Sequence, residues 1–216
     1  MGMEAYKETS IYKGALRILQ TLQAAHYEAY IVGGAVRDIQ MGRIPHDYDI
    51  VTSAMPEVVI DVLRTEGFIT TNVVGASFGV VVVTEGDDTY EVATYRSEQY
   101  GEDSHRPVAV QFPSTFLEDV QRRDFTINGL ALIESGEVRD EVGGLRDIVA
   151  RRLCTIGSSQ ERFQEDALRM FRLCRFAGQL GFSIEEETFS AIRTLKENLE
   201  RVAVERMKVE FEKMIL

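Results

Sequence analysis

The sequence is short of cysteine, tryptophan and long apolar runs. It contains two cysteines, Cys154 and Cys174, and no tryptophan among its 216 residues. Two cysteines are too few for a disulfide framework or a set of metal-binding thiolates, and both lie among apolar neighbours. We therefore predict buried thiols of a cytoplasmic protein. No apolar run reaches the length of a membrane span, and the N-terminus lacks the pattern of a signal peptide, so neither insertion nor export is expected.

Basic residues are outnumbered by acidic ones. The chain has 24 Lys and Arg against 35 Asp and Glu, which gives a formal net charge of −11. A protein that grips nucleic acid normally presents a basic surface, because neutralisation of phosphates dominates the affinity. Either the protein binds no nucleic acid, or the segment that provides most of the grip lies outside these residues. Apolar residues make up 44% and charged residues 27%, as in ordinary globular proteins of one large or two small domains.

The patterning of the chain changes near residue 146. Before that point short β-rich segments, most of them bounded by glycine or turn residues, alternate with helical patterns. From about residue 159 only helical periodicity is found. We predict an α+β head at 1–146, an all-α extension at 147–216 and a hinge at 140–147 between them. The predicted strands are 30–32, 47–51, 79–84, 90–95 and 108–112, and the predicted helices are 12–25, 35–41, 56–66, 159–180, 185–196 and 203–215.

A glycine pair, Gly33 and Gly34, separates the first predicted strand from the helix that follows it. Glycine lets the backbone approach a bound group closely, and the N–H groups at a helix N-terminus point at anions. Arg37, in the first turn of this helix, could add a bidentate phosphate contact. Taken alone, the pattern favours an ordinary strand-to-helix turn. The G-x-G-x-x-G spacing of a dinucleotide-binding turn is missing, which excludes an oxidoreductase of that kind.

Two aspartates, Asp47 and Asp49, alternate on the next predicted strand. Alternate residues of a strand share a face, so the two carboxylates should point together while Tyr48 faces the core. Neighbouring carboxylates repel each other unless a cation lies between them, and Mg²⁺ prefers one or two carboxylates together with phosphate oxygens. A bare D-x-D is more often a solvated strand end, but the preceding glycine pair favours the metal site. A third acid, Glu91, could reach the same site or be a plain edge-strand residue.

Four motifs in sequence order resemble one known family. They are Gly33-Gly34-x-x-Arg37-Asp38, Asp47-x-Asp49, Arg122-Arg123-Asp124-Phe-Thr-x-Asn128 and Glu165-Asp166-x-x-Arg169. This order is similar to that of the class II tRNA nucleotidyltransferases, which are the CCA-adding enzymes and their poly(A) polymerase relatives in the polymerase-β-like superfamily. The resemblance runs from about Tyr30 to the closing segment 205–213, and one departure is Gly129, where relatives usually carry alanine. It implies a polymerase-β-like head with a mixed β-sheet and flanking helices, followed by an all-α neck.

The resemblance also implies roles for individual residues. Asp47 and Asp49 would be the catalytic metal ligands, and 140–147 would be a flexible junction between head and neck. The nucleotide would be bound by Gly33, Gly34, Arg37, Gly75, Gly79, Arg123, Asp124, Asn128, Glu165, Asp166, Arg169 and Arg172.

The pair Asp166 and Arg169 has a physical rationale as a reader of the base. Three residues apart on a helix, the two would lie on neighbouring positions of one face. Ionised aspartate only accepts hydrogen bonds and arginine only donates them. Cytosine and adenine present an amine beside a ring acceptor, whereas uracil and guanine present the reverse order and would leave buried groups unpaired. Without the other motifs, an exposed salt bridge would be the preferred interpretation.

The implied reaction is nucleotide transfer from CTP, ATP or both to a tRNA 3′ end, with two Mg²⁺ ions as cofactors. The segment between Arg96 and Asp124 has the full length expected of a CCA-adding or A-adding enzyme, and His105 within it is interpreted as a loop contact. An RNA poly(A) polymerase and a catalytically inactive nucleotide- or RNA-binding module are the alternatives. The family's tRNA-binding body and tail domains are not found in these residues, so we predict weak tRNA binding.

Overall fold

The computed structural model describes residues 4–72, 79–100, 107–112 and 115–215. Two residues singled out above, Gly75 and His105, lie outside these ranges. The α-helices are α1 (Ser10–Ala24), α2 (Gly34–Gln40), α3 (Pro56–Thr65), α4 (Phe116–Gln121), α5 (Gly144–Val149), α6 (Ser159–Glu165), α7 (Leu168–Leu180), α8 (Glu186–Leu195) and α9 (Val204–Ile215). The strands are β1 (Ala29–Val32), β2 (Asp49–Thr52), β3 (Ile69–Asn72), β4 (Val80–Glu85), β5 (Asp88–Thr94), β6 (Ser97–Tyr100), β7 (Pro107–Gln111), β8 (Leu130–Leu132), β9 (Val138–Asp140), β10 (Arg152–Leu153) and β11 (Ser183–Ile184).

A seven-stranded sheet in the order β3-β4-β5-β2-β1-β8-β9 forms the centre of the head. Strands β2 and β5 pair in parallel, while β1 pairs antiparallel with both β2 and β8, so the sheet is mixed. The register places Asp49 opposite Val32 on one side and opposite Glu91 on the other. The glycine turn after β1 and the start of β2 therefore meet at the same end of the sheet.

Helix α1 covers one face of this sheet. The Thr9 hydroxyl caps it by accepting a hydrogen bond from the Tyr12 N–H, as an N-cap threonine does. Its apolar face buries Ile18, Leu19 and Leu22, and these residues belong to the same core cluster as the sheet residues Ile31 and Ile50. Apolar packing against α1 therefore closes one face of the sheet.

The helical region is built on two packed pairs, α7 with α9 and α6 with α8. The predicted helix 159–180 is wrong, because the chain leaves helical geometry at Asp166 (φ −150°, ψ 104°). The Asp166 carboxylate accepts a hydrogen bond from the Leu168 N–H at 3.1 Å. This side-chain contact takes the place of a backbone hydrogen bond of a continuous helix, and α7 begins at Leu168. Gly181 ends α7 in the left-handed conformation, as glycine commonly does at a helix C-terminus.

The predicted α+β head with a mixed sheet, followed by a helical region, is confirmed. The extension is not purely helical, because β10 and β11 form a short parallel pair. The boundary at 146/147 falls inside α5, and the hinge at 140–147 remains a prediction.

Cys154 is buried as predicted, but Cys174 is exposed, because it lies on the outer flank of α7 beside the buried Leu173. Across the described residues, no helix is long and apolar enough to cross a membrane.

Candidate active site

A cleft of about 570 Å³ opens between the head sheet and the helical region. Both parts of the molecule contribute to its wall. The lining residues are Gly33, Gly34, Arg37, Asp38, Asp47, Asp49, Arg122, Arg123, Asp124, Asn128, Asp166, Leu168, Arg169, Arg172, Arg175, Phe176, Arg206 and Lys213. Eleven of the residues predicted for the site therefore lie in one cavity.

The glycine turn forms one edge of the cleft. Gly33 adopts φ +75° and ψ −136°, a conformation that only glycine accepts readily. Its N–H donates to the Leu130 carbonyl at 3.3 Å, which fixes the turn against β8. A Cβ built on Gly33 would lie 3.7 Å from Asp49 Oδ2 and 3.9 Å from Arg123 Nη1. The turn therefore brings backbone without a side chain close to both Asp49 and Arg123.

The acid pair lies at the start of β2. Asp49 is the first residue of the strand, whereas Asp47 precedes it, so the predicted strand 47–51 begins two residues too early. The predicted alternation is present, because Tyr48 and Ile50 are buried and the two aspartates line the cleft. The two carboxylates thus lie on the same side of the chain, although only Asp49 belongs to strand β2.

Asp49 has an unusual electrostatic environment. Partial burial first, and then repulsion from Asp47 and Glu91, raises the pKa of its carboxyl to about 6, against the opposing effect of Arg123 and Lys213. The side chain still meets solvent in the cleft, although the surrounding protein removes part of its hydration. A carboxylate held near others of the same sign is a position where a cation would be stabilised.

Glu91 stands beside Asp49 on the parallel neighbour strand, β5. It is exposed and is not among the residues that line the cleft. Repulsion from the Glu91 carboxylate is one of the causes that raise the pKa of Asp49. Whether Glu91 binds a metal remains a prediction.

The helical side of the cleft carries arginines that are paired with buried acids. Arg172 donates from Nε to Asp124 Oδ2 at 2.8 Å and from Nη1 to Glu210 Oε1 at 3.1 Å. Arg175 donates to the other oxygen of Glu210 at 2.7 Å. Burial disfavours the charged form of Asp124, but Arg172 more than offsets this and holds the pKa of that carboxyl below its usual value. Asp124 reciprocally raises the pKa of Arg172, so both groups stay charged.

Asn128 links this network to the glycine turn. Its Nδ2 donates to Asp124 Oδ1 at 3.4 Å, and its Oδ1 accepts from Arg37 Nη1 at 2.9 Å. Arg37 also donates from Nε to Asp38 at 2.9 Å. The predicted phosphate contact of Arg37 would therefore be made by a side chain already fixed by protein partners. After Asn128, a Cβ on Gly129 would lie 2.7 Å from Val142 Cγ2, which is consistent with glycine at this position.

The break between α6 and α7 corrects the predicted geometry of Asp166 and Arg169. Asp166 lies outside the helix, so the pair does not share one continuous helical face. Asp166 accepts from Arg206 Nη2 at 2.7 Å. Arg169 is 7% exposed and donates to Glu165 Oε2 at 2.6 Å, with further bonds to the carbonyls of Arg162 and Arg122. Both residues still line the cleft, and Glu165 supports Arg169 from behind it.

Gly79 directly precedes β4 and is not among the residues that line the cleft. A Cβ there would come within 2.8 Å of Phe112 Cε1, so its small size serves packing. The cleft also contains residues for which we predicted no role, among them Asp38, Arg122, Arg175, Arg206 and Lys213. Four of them, Asp38, Arg122, Arg206 and Lys213, lie within the segments that carry the family resemblance, and that position could have indicated a role in the site. Glu210 and Asp119, which lie behind the wall, were not predicted.

Most of the chain is similar to known proteins. Residues 29–154 match the family described as "Poly A polymerase head domain", and residues 181–216 match "Probable RNA and SrmB- binding site of polymerase A". The chain is 48% identical over 204 residues to a CCA-adding enzyme of Geobacillus sp. (strain WCH70), which covers 94% of this chain and 49% of the relative. The chain thus spans about half the length of the curated relatives it matches.

Two solved structures are similar as well. The CCA-adding enzyme of Bacillus stearothermophilus in complex with CTP superposes with a TM-score of 0.85 at 41% identity, over 95% of this chain and 49% of the other. A tRNA nucleotidyltransferase complexed with a primer tRNA and an incoming ATP analogue gives a TM-score of 0.72 at 28% identity, over 90% of this chain and 55% of the other.

Proposed function

This chain belongs to the family of class II CCA-adding enzymes and poly(A) polymerases, and on that premise we propose that it transfers nucleotides from CTP, ATP or both to the 3′ end of a tRNA without a template. A bond would form between the RNA 3′ oxygen and the α-phosphorus, and the bond from that phosphorus to pyrophosphate would break. The main support is the convergence of an acid pair and an arginine-rich wall in one cleft. The similar enzyme bound to CTP and the one bound to tRNA and an ATP analogue agree with it.

The acid pair is suited to magnesium. Asp47 and Asp49 both line the cleft, and mutual repulsion contributes to the raised pKa of Asp49. Within the described residues, no group of three or more His, Cys, Asp or Glu could hold a metal ion by itself, so phosphate and water oxygens would supply the other ligands. Mg²⁺ favours this combination. When bound, two such ions would lower the pKa of the RNA 3′-hydroxyl and stabilise the departing pyrophosphate.

The protein's own residues would position the triphosphate. The open backbone of Gly33 and the guanidinium of Arg123 face the same part of the cleft as Asp49. Arginine matches phosphate geometry and glycine permits close approach, so the triphosphate would lie between them and the acid pair. Catalysis would consist of positioning and charge stabilisation, without a covalent protein intermediate.

Asp166 and Arg169 would read the base. Arg169 is held by Glu165 and two carbonyls, so its orientation is fixed before a nucleotide arrives. Asp166 would accept from the amine of cytosine or adenine, and Arg169 would donate to the neighbouring ring nitrogen. Uracil and guanine would place a carbonyl against Asp166 and a ring N–H against Arg169, which leaves buried groups unpaired and disfavours binding.

The acceptor would be a tRNA in the cytoplasm. With a net charge of −11 and about half the length of its relatives, this chain should bind tRNA weakly. Tight, salt-dependent binding of tRNA by these 216 residues alone would contradict that expectation.

The test is nucleotide incorporation at high tRNA concentration, with each of the four nucleoside triphosphates offered separately. We expect CTP to extend tRNAs that end before CCA or after the first C, and ATP to extend those that end in CC. Incorporation of ATP alone would favour an A-adding enzyme or a poly(A) polymerase, which ignores the CC end. Loss of Mg²⁺-dependent CTP binding in Asp47→Ala is the second expectation. Absence of any such binding in the unchanged protein would favour an inactive module instead.

A further inference from the structure

Asp119 is a buried acid shared by two arginines of the cleft. It lies on α4, is 0% exposed and is not among the residues that line the cavity. Arg122 donates to Oδ1 from Nε at 3.0 Å and from Nη2 at 2.6 Å. Arg123 donates to Oδ2 from Nε at 3.3 Å and from Nη2 at 2.9 Å. Each oxygen thus receives one guanidinium edge, and the arginines more than offset the effect of burial, which holds the pKa of Asp119 below its usual value.

Helix α4 places this acid accurately. Thr115 and Glu118 form a capping box at its N-terminus, and Asp119 precedes the two arginines by three and four residues. At the other end, the Gln121 carbonyl accepts from Arg162 and the Arg122 carbonyl accepts from Arg169, each at 2.9 Å. The helical region therefore satisfies carbonyls that a helix end leaves open. Asp119 has little freedom to move.

The contact with Asp119 determines which edge of Arg123 faces the cleft. Nε and Nη2 are turned toward Asp119, and Nη1 lies 3.9 Å from a Cβ built on Gly33. Asp49 Oδ2 lies 3.7 Å from the same point, and the charge of Arg123 opposes the net increase in the pKa of Asp49. An arginine without a partner of its own would be drawn onto the acid pair, since opposite charges at this range attract strongly in a partly dehydrated site.

We propose that Asp119 is a positioning residue: it orients Arg123 so that Nη1 meets the triphosphate, and it prevents Arg123 from forming a salt bridge with Asp49. This inference rests on the proposed function. It assigns a role to a buried side chain that touches neither nucleotide nor RNA. Removing the Asp119 charge would weaken nucleotide binding in two ways, because Arg123 would lose its orientation and would neutralise the acid that receives the metal.

The experiment is a double-mutant cycle on Mg²⁺·CTP binding, measured by calorimetric titration of the full chain. We expect Asp119→Asn to raise Kd about tenfold, because a charge-assisted contact to phosphate is lost. Arg123→Ala should raise it by a similar factor. The double variant should bind no more than about twofold more weakly than Arg123→Ala, because Asp119 then has nothing left to orient. Arg152→Ala removes the arginine partner of another buried acid, Asp147, which lies outside the cleft. It is the matched control and should stay within about threefold of the unchanged protein.

Two results would overturn the inference alone. One is a Kd for Asp119→Asn within twofold of the unchanged protein, and the other is a double variant whose loss equals the product of the single losses. If Asp119→Asn does not fold, as judged by circular dichroism, Asp119→Glu keeps the charge but displaces the carboxylate. That variant should raise Kd about threefold, and an unchanged Kd would overturn the inference. If the unchanged protein binds no Mg²⁺·CTP, the proposed function fails and this inference fails with it.

Discussion

The two walls of the cleft manage charge in opposite ways. On the sheet side, Asp47, Asp49 and Glu91 are close enough for their mutual repulsion to help raise the pKa of Asp49 to about 6. On the other side, the wall is formed by α4, the segment that follows it and the helical region, and we call it the helical wall. There, arginines are paired with buried acids, and the pKa values of Asp119 and Asp124 lie below the usual range. The sheet wall has an excess of negative charge, whereas the buried acids of the helical wall are paired with arginines.

This difference suits the sheet wall to binding a ligand and the helical wall to supporting the fold. A buried acid that is paired and hydrogen-bonded supports the fold, and removing its partner leaves an uncompensated charge. Acids that repel each other destabilise the empty site and gain from any bound cation. Function should therefore be most sensitive on the sheet wall and stability most sensitive on the helical wall.

The largest expected effect is on activity. Asp49→Asn removes one of two proposed metal ligands, and we expect kcat/KM for CTP incorporation to fall about 10³-fold. The melting temperature should be equal to or above that of the unchanged protein, because a repelled carboxylate is replaced by a neutral amide. Steady-state kinetics and thermal unfolding of the same preparation test both parts. A variant that loses activity and unfolds at a clearly lower temperature would contradict the proposed contrast between the walls.

The second effect is on stability. Glu210 is 4% exposed and accepts from both Arg172 and Arg175. Glu210→Gln should lower the free energy of unfolding by about 2 kcal/mol, because two partly buried guanidinium groups lose their shared anionic partner. Glu212→Gln is the matched control on the same helix, since Glu212 is exposed and pairs with Lys208 at 3.6 Å. It should change stability by less than about 0.5 kcal/mol in urea unfolding. Equal effects in the two variants would show that burial of the pair does not matter.

The sheet wall could be predicted largely from sequence. Gly33, Gly34, Asp47 and Asp49 lie within a short stretch, and the spacing of glycine turn and alternating acids depends on local geometry alone. The structure brings these residues together in one cavity as expected. The approach of Glu91 to Asp49 could only be left open as one of two alternatives, because sheet topology, which no local pattern indicates, pairs β2 with β5.

The helical wall was harder to predict for a physical reason. Glu210 reaches Arg172 and Arg175 over 38 and 35 residues, and no local pattern indicates such a contact. The predicted continuous helix failed at Asp166, where a side chain competes with the backbone for the Leu168 N–H. Asp119 did have a local signal, since two arginines follow it at helical spacing.

A smaller effect should appear in nucleotide choice. Asp166→Ala removes the proposed acceptor for the base amine, so the preference for CTP over UTP should fall about tenfold. Because Asp166 also pairs with Arg206, Arg206→Ala is the control that breaks the salt bridge but keeps the acceptor. It should retain the preference. Competition between CTP and UTP in incorporation assays measures the ratio. If both variants lose the preference equally, the salt bridge and not the acceptor sets the choice.

The smallest effect concerns acid stability of the helical wall. The lowered pKa of Asp124 means that its contribution is fully present above the ordinary value of 3.8 and is lost as pH falls through the lower value of the folded state. Asp124→Asn should therefore be less stable than the unchanged protein at neutral pH, and the difference should narrow steadily below pH 3.8. Asp87→Asn, in the exposed turn between β4 and β5, is the control and should change stability at pH 7 by less than about 0.5 kcal/mol. Urea unfolding from pH 7 to pH 3 measures the gap. If the difference in free energy of unfolding stays constant over this range, Asp124 supports the wall through packing and not through its charge. Only a contribution from the charge would disappear when the carboxylate is protonated.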